Sequence, residues 1–298
     1  MLAAQESLQL EPRRHSGLRL WAFRAAERAA SALGGRALYC RGFLGPRRLG
    51  LRRENLPVAE LPRGLENFCI VQLSDFHAGA LFGAGSLEFA VELANRERPD
   101  LVVLTGDYIT HNWSEALALQ GDLARLRARL GVFAVFGNHD YRGRSENKIA
   151  TAFAAQGIRF LRDQGVRFDT GAGAVTLYGI EDLEEARAVD LAAARVAVQP
   201  GDVELVLCHN PRGAPKLARP GVAAIFCGHT HGSQMDLPWL RRLGPPHPGA
   251  RIHLGATRVV VSRGLGVVGF PLRVGAPAEI VVARLQRPEA LGSPCTAD

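Results

Sequence analysis

The sequence predicts an α/β fold with two β-sheets, and three features of its apolar pattern lead to this prediction. Short apolar runs alternate with helix-like stretches at about 85–97 and 114–130, in units of about 30 residues, which indicates parallel strands joined by right-handed crossovers. The later apolar runs lie closer together, which predicts a second and more antiparallel sheet. The runs are continuously apolar, so we expect both faces of each sheet to be covered. The candidate strands are 68–73, 101–104, 132–136, 174–180, 203–208, 222–227, 257–262 and 278–285.

The positive charge of the chain is concentrated in an N-terminal extension, residues 1–54. The whole chain has a formal net charge of +7, whereas residues 1–60 alone hold eleven arginines against five acidic residues, a balance of +6. The rest of the chain is therefore nearly neutral. We expect residues 55–286 to form one domain and residues 287–298 to form a tail.

Within the extension, residues 18–33 predict an imperfectly amphipathic helix, because they are rich in alanine and arginine and lack glycine and proline. Trp21 lies on the apolar side, and Arg24 and Arg28 lie on the charged side. Two interpretations remain open: a basic helix that lies on a membrane surface, or a surface helix packed on its own domain. No apolar run approaches the ~18 residues of a transmembrane helix, and charges interrupt every candidate signal-peptide core.

The five cysteines do not have the spacing of a zinc site or of a disulfide framework. Three of them lie inside apolar runs, and their number is odd. Buried, reduced thiols are therefore expected, which favours a cytoplasmic location. The cysteines are Cys40, Cys69, Cys208, Cys227 and Cys295.

Polar clusters follow five of the predicted strands. In open α/β sheets, ligands bind beyond the carboxyl ends of the strands, so we expect the five clusters to converge on one edge. Each cluster taken singly has a simpler explanation as a turn, a helix cap or a pair of exposed loop histidines. The clusters are SDFH at 74–77, GD at 106–107, GNHD at 137–140, HNP at 209–211 and GHTHG at 228–232.

The side chains in these clusters suit divalent metal ions. Carboxylate, imidazole and amide oxygen groups are compatible with Mn²⁺, Mg²⁺, Fe or Zn²⁺. Seven candidate ligands are too many for one tetrahedral ion, and two ions that share a bridging carboxylate would accommodate them. Two such ions can hold both the attacking and the leaving oxygen of a displacement at phosphorus. The candidates are Asp75, His77, Asp107, Asn138, His209, His229 and His231.

The order D-x-H, G-D, G-N-H-D, H and G-H-x-H resembles the calcineurin-like metallophosphoesterase family over roughly residues 68–285. The resemblance implies an α-β-β-α sandwich of two mixed sheets flanked by helices, with a dinuclear metal site at the carboxyl-terminal rim of the strands. It also implies that Asp107 bridges the two ions. The implied further ligands are Asp75, His77 and His231 for the first ion, and Asn138, His209 and His229 for the second.

The resemblance further implies a metal-dependent hydrolase, with two divalent ions, Mn²⁺ foremost, as cofactors. A phosphodiester or pyrophosphate bond would be cleaved by in-line attack of a hydroxide that bridges the ions. His139 would stabilise the transition state and could act as a general acid. Asp140 would orient His139, brace the loop or cap the following helix, and the sequence leaves these alternatives open.

The motifs SDFHAG, GHTHGSQ and PLRVGAPAEI are similar to a bacterial branch that includes UDP-2,3-diacylglucosamine pyrophosphatases and membrane-associated phosphodiesterases. This similarity implies a lipid-linked nucleotide substrate from lipid A biosynthesis. Residues 18–33 would then contact the inner face of the cytoplasmic membrane, and Arg263 and Trp239 are candidates for substrate binding. Ser233 stands where this branch usually has glycine, which matters only if the backbone there requires a positive φ.

Two other functions are alternatives to this interpretation. A general phosphodiesterase or nuclease could be drawn to nucleic acid by the basic extension. However, the extension lacks interleaved aromatic residues and the body is nearly neutral, so nucleic acid is not the expected partner. A non-catalytic binding scaffold is disfavoured because all seven ligand positions and His139 are retained. No protein partner is predicted.

Overall fold

The computed structural model describes residues 8–11, 17–236 and 251–288. Its strands form two six-stranded sheets. The strands are β1 (Gly50–Pro57), β2 (Cys69–Leu73), β3 (Leu101–Leu104), β4 (Val132–Ala134), β5 (Ile158–Phe160), β6 (Gln164–Asp169), β7 (Ala174–Gly179), β8 (Val203–Leu207), β9 (Val222–Cys227), β10 (Arg251–Leu254), β11 (Thr257–Val261) and β12 (Glu279–Gln286). The first sheet has the order β1-β12-β2-β3-β4-β5, and the second has the order β10-β11-β9-β8-β7-β6.

Helices and helical turns connect the strands. The α-helices are α1 (Gly17–Ala32), α2 (Gly35–Tyr39), α3 (Glu88–Arg96), α4 (Gln120–Leu123), α5 (Glu146–Ala154), α6 (Leu191–Ala194) and α7 (Ala214–Leu217). A π-helical turn at Cys40–Leu44 follows α2, and 3₁₀ turns include Trp113–Leu119, Asn138–Arg144 and His231–Ser233. None of the helices in the described part of the chain is long and apolar enough to cross a membrane.

The apolar strands are buried on both faces because the sheets pack against each other and against helices. In β2, Val71 and Leu73 face the helix-covered side of the first sheet, whereas Ile70 faces the second sheet. The outer face of the second sheet forms a third apolar cluster with α6 and α7. The predicted four-layer α-β-β-α sandwich is confirmed.

The second sheet is more antiparallel than the first, as predicted, although most of its pairs are parallel. Two of its five strand pairs, β10–β11 and β6–β7, are antiparallel. In the first sheet only the β12–β2 pair is antiparallel. Consequently β2, β3 and β4 run in one direction, and β8 and β9 run together in the facing sheet, so five polar clusters follow parallel strand ends.

The predicted helix at 114–130 is wrong in its second half. A capping box between Asn112 and Glu115 starts the 3₁₀ turn that α4 continues, but the chain leaves the helix at Ala124. The amides of Arg129 and Leu130 donate to the carbonyls of Pro99 and Asp100 instead. These bonds direct the chain into β4 and are incompatible with a continuing helix.

The N-terminal segment packs against the first sheet and adds a strand to it. Helix α1 lies close to the predicted 18–33, and β1 crosses the predicted boundary between residues 54 and 55 by pairing in parallel with β12. Tyr39, Leu44 and Leu49 are buried in the core cluster of the first sheet. Among the described cysteines all four are free, and three of them are buried.

Candidate metal centre

Four candidate ligands meet where three strands end. Asp75 and His77 follow β2, Asp107 follows β3, and His231 follows β9. Their ligand atoms all lie within 4.8 Å of one another, and all four side chains are buried. Carboxylates and imidazoles in this arrangement can hold a divalent cation.

Two features within this group of four side chains also suit a bound cation. The Nε2 atoms of His77 and His231 are 2.8 Å apart. Two nitrogens bound to one ion at about 2.1 Å each lie about 3 Å from each other, so this separation suits shared coordination. The buried Oδ2 of Asp75 has no hydrogen-bond partner among the described residues, which is costly unless a cation binds it.

The other three candidates lie beside these four. His209 is next to Asp107, and the backbone amide of His229 donates to Oδ1 of Asp75 at 2.8 Å. Oδ2 of Asp107 is 3.3 Å from Nε2 of His77 and 3.4 Å from Nε2 of His209, so this oxygen stands between the two sets of ligands. Nδ1 of His209 lies 2.6 Å from the Thr105 carbonyl, so Nδ1–H donates there and Nε2 is the ring atom that faces Asp107. The amide oxygen of Asn138 is 3.1 Å from Nδ1 of His229. The structure thus brings all seven predicted ligands together.

The charges of the cluster are strongly coupled. Burial by itself would raise the pKa of Asp107, but the adjacent His209 holds that pKa well below its usual range. Burial raises the pKa of Asp75, which has Asp107 as a close neighbour. Two carboxylates held this close in a buried site are a favourable environment for cations.

The backbone at the ligands is unusual. Five of the seven candidate ligands have a positive φ, a region that residues other than glycine seldom adopt, and each such residue costs on the order of 1 kcal/mol or more. Strain concentrated at these positions is typical of functional sites. Ser233 also has a positive φ, of 66°, so its position does require the conformation that glycine adopts most readily. The ligands are Asp75 (52°), His77 (48°), Asp107 (57°), His229 (72°) and His231 (52°).

Asp140 braces the loops that carry the ligands. Its Oδ2 accepts hydrogen bonds from the backbone amides of Asp107 and Gly137, and its Oδ1 accepts from those of Tyr108 and Ile109. Gly137 is the residue directly before the 3₁₀ turn 138–144, so the hydrogen bond from its amide to Asp140 also caps the start of that turn. No described contact joins it to the imidazole of His139, so the contacts support bracing and capping over orientation of that ring.

Comparison with known proteins identifies the family. A model of the family described as calcineurin-like phosphoesterase matches residues 69–233, which is more than half of the 298-residue chain. The chain belongs to the calcineurin-like phosphoesterase family. The predicted family and the predicted enzyme class, metal-dependent phosphoester hydrolase, are confirmed.

Related proteins include a Bos taurus transmembrane protein with a metallophosphoesterase domain, 31% identical over 78% of this chain and 56% of its own length. The chain therefore spans little more than half of that relative. An uncharacterised metallophosphoesterase of Bacillus subtilis is 28% identical over 89% of this chain and 94% of its own length. Among solved structures, phosphopantetheinyl hydrolase from Mycobacterium tuberculosis is similar with a TM-score of 0.42 and 14% identity, covering 70% of this chain and 91% of that chain.

His139 lies at the edge of the phosphoesterase centre beside an arginine that the sequence did not single out. Its ring is 4.6 Å from that of His77, centroid to centroid. Nδ1 lies 3.3 Å from the Thr110 carbonyl, and Nε2 lies 3.3 Å from a guanidinium nitrogen of Arg142. These contacts assign the tautomer in which Nδ1–H donates to Thr110 and Nε2 accepts from Arg142. Burial lowers the pKa of His139 well below its usual range, so the ring is neutral.

A second arginine, Arg273, lies beneath the phosphoesterase centre and donates to the backbone there. Arg273 is buried, and it donates to the carbonyls of Gly266, Ala276 and His231 and to the hydroxyl of Tyr39. That hydroxyl in turn donates to the Leu265 carbonyl at 2.5 Å. Helix α2 is thereby connected to the loop that carries the candidate ligand His231. Arginines are abundant in this sequence, so neither Arg142 nor Arg273 stood out.

Two glycines allow the phosphoesterase ligands to approach the backbone. A Cβ on Gly137 would lie 2.3 Å from Oδ1 of Asp107 and 2.7 Å from Cε1 of His209. A Cβ on Gly228 would lie 2.3 Å from Oδ2 of Asp75. All three distances are too short for non-bonded atoms. The signal for these residues was present in the GNHD and GHTHG motifs, where glycine precedes each ligand.

The two predicted substrate-binding residues have different outcomes. Arg263 lies next to Gly232, but one of its guanidinium nitrogens is 3.4 Å from a carboxylate oxygen of Glu279 and its backbone amide donates to the other oxygen. Its role in substrate binding stays a prediction. Trp239 lies outside the described residues.

Proposed function

We propose that this phosphoesterase hydrolyses phosphodiester or pyrophosphate bonds with two divalent ions, foremost Mn²⁺. The observation that carries the proposal is the position of Asp107 Oδ2 between Nε2 of His77 and Nε2 of His209. A carboxylate oxygen in this place is suited to bridge two cations. When bound, the ions supply an activated water nucleophile and offset negative charge on the phosphoryl oxygens.

The protein's own groups would position the substrate and complete the electrostatic stabilisation. The three further ligands of the first ion come from β2 and β9, and those of the second come from the loops after β4, β8 and β9. Arg142 and the neutral His139 face the same edge of the centre, where the N–H groups of Arg142 can bind a phosphoryl oxygen. His139 can also donate a proton to the leaving oxygen if a proton is supplied to Nε2, the atom that now accepts from Arg142.

The reaction class is tested by measuring metal content and hydrolysis of bis-p-nitrophenyl phosphate together. We expect about two equivalents of bound transition metal in the wild-type protein. Asn138→Ala should lose one equivalent and nearly all activity, whereas His139→Ala should keep both ions and lose activity. His253→Ala, at an exposed position on β10, serves as the matched control. Full metal content without hydrolysis of any phosphoester would support a non-catalytic scaffold instead.

For the substrate, we propose a lipid-linked nucleotide of the UDP-2,3-diacylglucosamine type. The support is an apolar surface close to the centre. Phe270 and Leu272 are 59% and 46% exposed, on a loop whose Gly269 amide donates to Glu27 of α1. Release of UMP from UDP-2,3-diacylglucosamine, but not from the soluble analogue UDP-N-acetylglucosamine, is the expected result. Turnover of simple diesters without any UMP would leave a general phosphodiesterase as the function.

We also propose that α1 contacts the cytoplasmic membrane surface from the inside. Trp21 on this helix is 67% exposed, and α1 carries several arginines that suit anionic lipid headgroups. Sedimentation with vesicles of phosphatidylglycerol and phosphatidylethanolamine should therefore weaken in Trp21→Ala. Val196→Ala, at a residue that is 83% exposed after α6, should bind like the wild type. Equal sedimentation of all three proteins would exclude this contact.

A further inference from the structure

A cavity of about 250 Å³ lies between α1 and the segment after β3. Arg24 and Arg28 line it from α1, and His111 and Glu115 line it from the opposite side. The two arginines are four residues apart, so they lie on the same face of the helix. Neither has an ion pair or hydrogen bond with another residue in the part of the chain that is described, and both are exposed.

The two acidic residues at this cavity, Glu27 and Glu115, already accept hydrogen bonds from other groups of the protein. One carboxylate oxygen of Glu115 accepts hydrogen bonds from the amides of Thr110 and His111, at 2.9 and 2.7 Å. Glu27 is buried, with one oxygen 2.7 Å from Nε2 of His111 and the other accepting from the Gly269 amide. Both negative charges are thus offset by donors of the protein. The arginines remain as adjacent like charges that a bound anion would stabilise.

The cavity is connected to the reaction centre by direct contacts. A guanidinium nitrogen of Arg142 lies 3.3 Å from Nδ1 of His111, and another lies 3.3 Å from Nε2 of His139. Burial, with a smaller contribution from Arg24, lowers the pKa of Arg142, which places the two guanidinium groups within electrostatic reach. An anion held by α1 would therefore be a neighbour of the group bound at His139.

We infer that Arg24 and Arg28 form a subsite for a second phosphate group of the substrate, adjacent to the phosphate that is hydrolysed. The inference rests on the proposed function and adds to it that α1 takes part in substrate recognition. It also accounts for the buried Glu27–His111 pair, which fixes α1 against the segment that carries the reaction centre. A substrate with only one phosphate would leave the subsite empty and bind more weakly.

The kinetic test compares two chromogenic esters that differ by one phosphate. These are thymidine 5′-(p-nitrophenyl phosphate) and the same ester with a 3′-phosphate. We expect Arg24→Gln/Arg28→Gln to raise KM for the 3′-phosphorylated ester by about tenfold or more, and to change KM for the other ester less than about twofold. Arg47→Gln/Arg48→Gln removes the same charge from exposed positions before β1 and should leave both KM values unchanged. Equal effects of the first double variant on both esters, or no effect, would overturn the inference.

A binding test separates this subsite from the proposed function. Thymidine 3′,5′-bisphosphate and thymidine 5′-phosphate are titrated by calorimetry into protein kept metal-free with EDTA. The bisphosphate should bind more tightly to the wild type and to Arg47→Gln/Arg48→Gln, and this preference should vanish in Arg24→Gln/Arg28→Gln. If the wild type hydrolyses neither ester, the proposed function fails while this preference still supports the subsite. Equal binding of the two nucleotides to the wild type refutes the subsite whether or not the esters are hydrolysed.

Discussion

A buried carboxyl group near the phosphoesterase centre should make stability depend on pH. Asp182 is 1% exposed, and its Oδ1 accepts from the amides of Glu184 and Glu185, at 3.0 and 2.9 Å. Its Oδ2 has no hydrogen-bond partner among the described residues. Burial raises the pKa of Asp182 from 3.8 to about 7. The bonds from Glu184 and Glu185 form a turn at residues 182–185. The turn is linked to the centre because Glu184 accepts a hydrogen bond from Asn210, which lies beside His229.

The sign of the effect follows from proton binding. At a pH between 3.8 and about 7, Asp182 of the folded protein holds a proton that the same residue has released in the unfolded chain. The stability contributed by this proton is fully present below about pH 4 and is lost as the pH rises through about 7. A pKa difference of about three corresponds to roughly 4 kcal/mol in total. Asp182→Asn keeps the size of the side chain and the Oδ1 acceptor while removing the charge.

The measurement is urea unfolding of metal-free wild-type and Asp182→Asn proteins. We expect the free energy of unfolding of the variant, minus that of the wild type, to increase by roughly 2 to 3 kcal/mol from about pH 5 to about pH 8. Asp169→Asn, at an exposed aspartate, should show a constant difference over the same range. A flat difference for Asp182→Asn, or one that is largest at the acidic end, would refute the reasoning.

Substitutions at three positions test the centre itself. His139→Ala should lower kcat for bis-p-nitrophenyl phosphate by about 10² to 10⁴, the usual range for a proton-transfer or charge-stabilising group. Gly137→Ala should abolish both metal binding and hydrolysis, because its Cβ would lie 2.3 Å from Oδ1 of Asp107. Ser233→Val should lower the free energy of unfolding by about 1 to 3 kcal/mol, since a β-branched residue is strained at a positive φ, whereas Ser233→Gly should not.

Each of these outcomes has a control and a contrary result. His139→Ala must retain its metal ions by elemental analysis, and an unchanged kcat would remove this residue from the mechanism. Gly121→Ala is the control for Gly137→Ala, because no atom lies within 4 Å of a Cβ at Gly121 and its φ is not positive. Normal metal content in Gly137→Ala would contradict the close approach of its backbone to the ligands. Unfolding in urea measures both Ser233 variants, and equal stabilities would show that the positive φ carries no strain.

The parts of the fold and site that could be predicted from the sequence are those encoded locally. A strand buried on both faces is continuously apolar, as in β2 and β9, and the polar cluster that follows it marks its carboxyl end. The seven candidate ligands could be singled out in this way, because each lies within a few residues of a recognisable strand. The positive φ values at five of them could not be predicted, since residues other than glycine seldom adopt this region of backbone conformation.

What the sequence did not predict depends on partners far away in the chain. Strand β1 reads GLRRENLP, which lacks an apolar run, and it exists because it pairs with β12 more than 220 residues later. The packing of α1 likewise depends on contacts of Glu27 with His111 and Gly269. The composition of α1 fits both a helix on a membrane surface and a helix packed on its own domain. The contacts of Glu27 with these distant residues cannot be read from that composition.

The hydroxyl of Tyr39 has a consequence for any attempt to trim this enzyme to a minimal catalytic unit. A protein beginning at residue 55 would lack Tyr39, most of β1 and the helix that presents Arg24 and Arg28. The guanidinium of Arg273 would then lose a partner directly behind His231, and one edge of the β12 ladder would be bare. The N-terminal segment and the loops around the candidate metal centre therefore depend on each other for their hydrogen bonds.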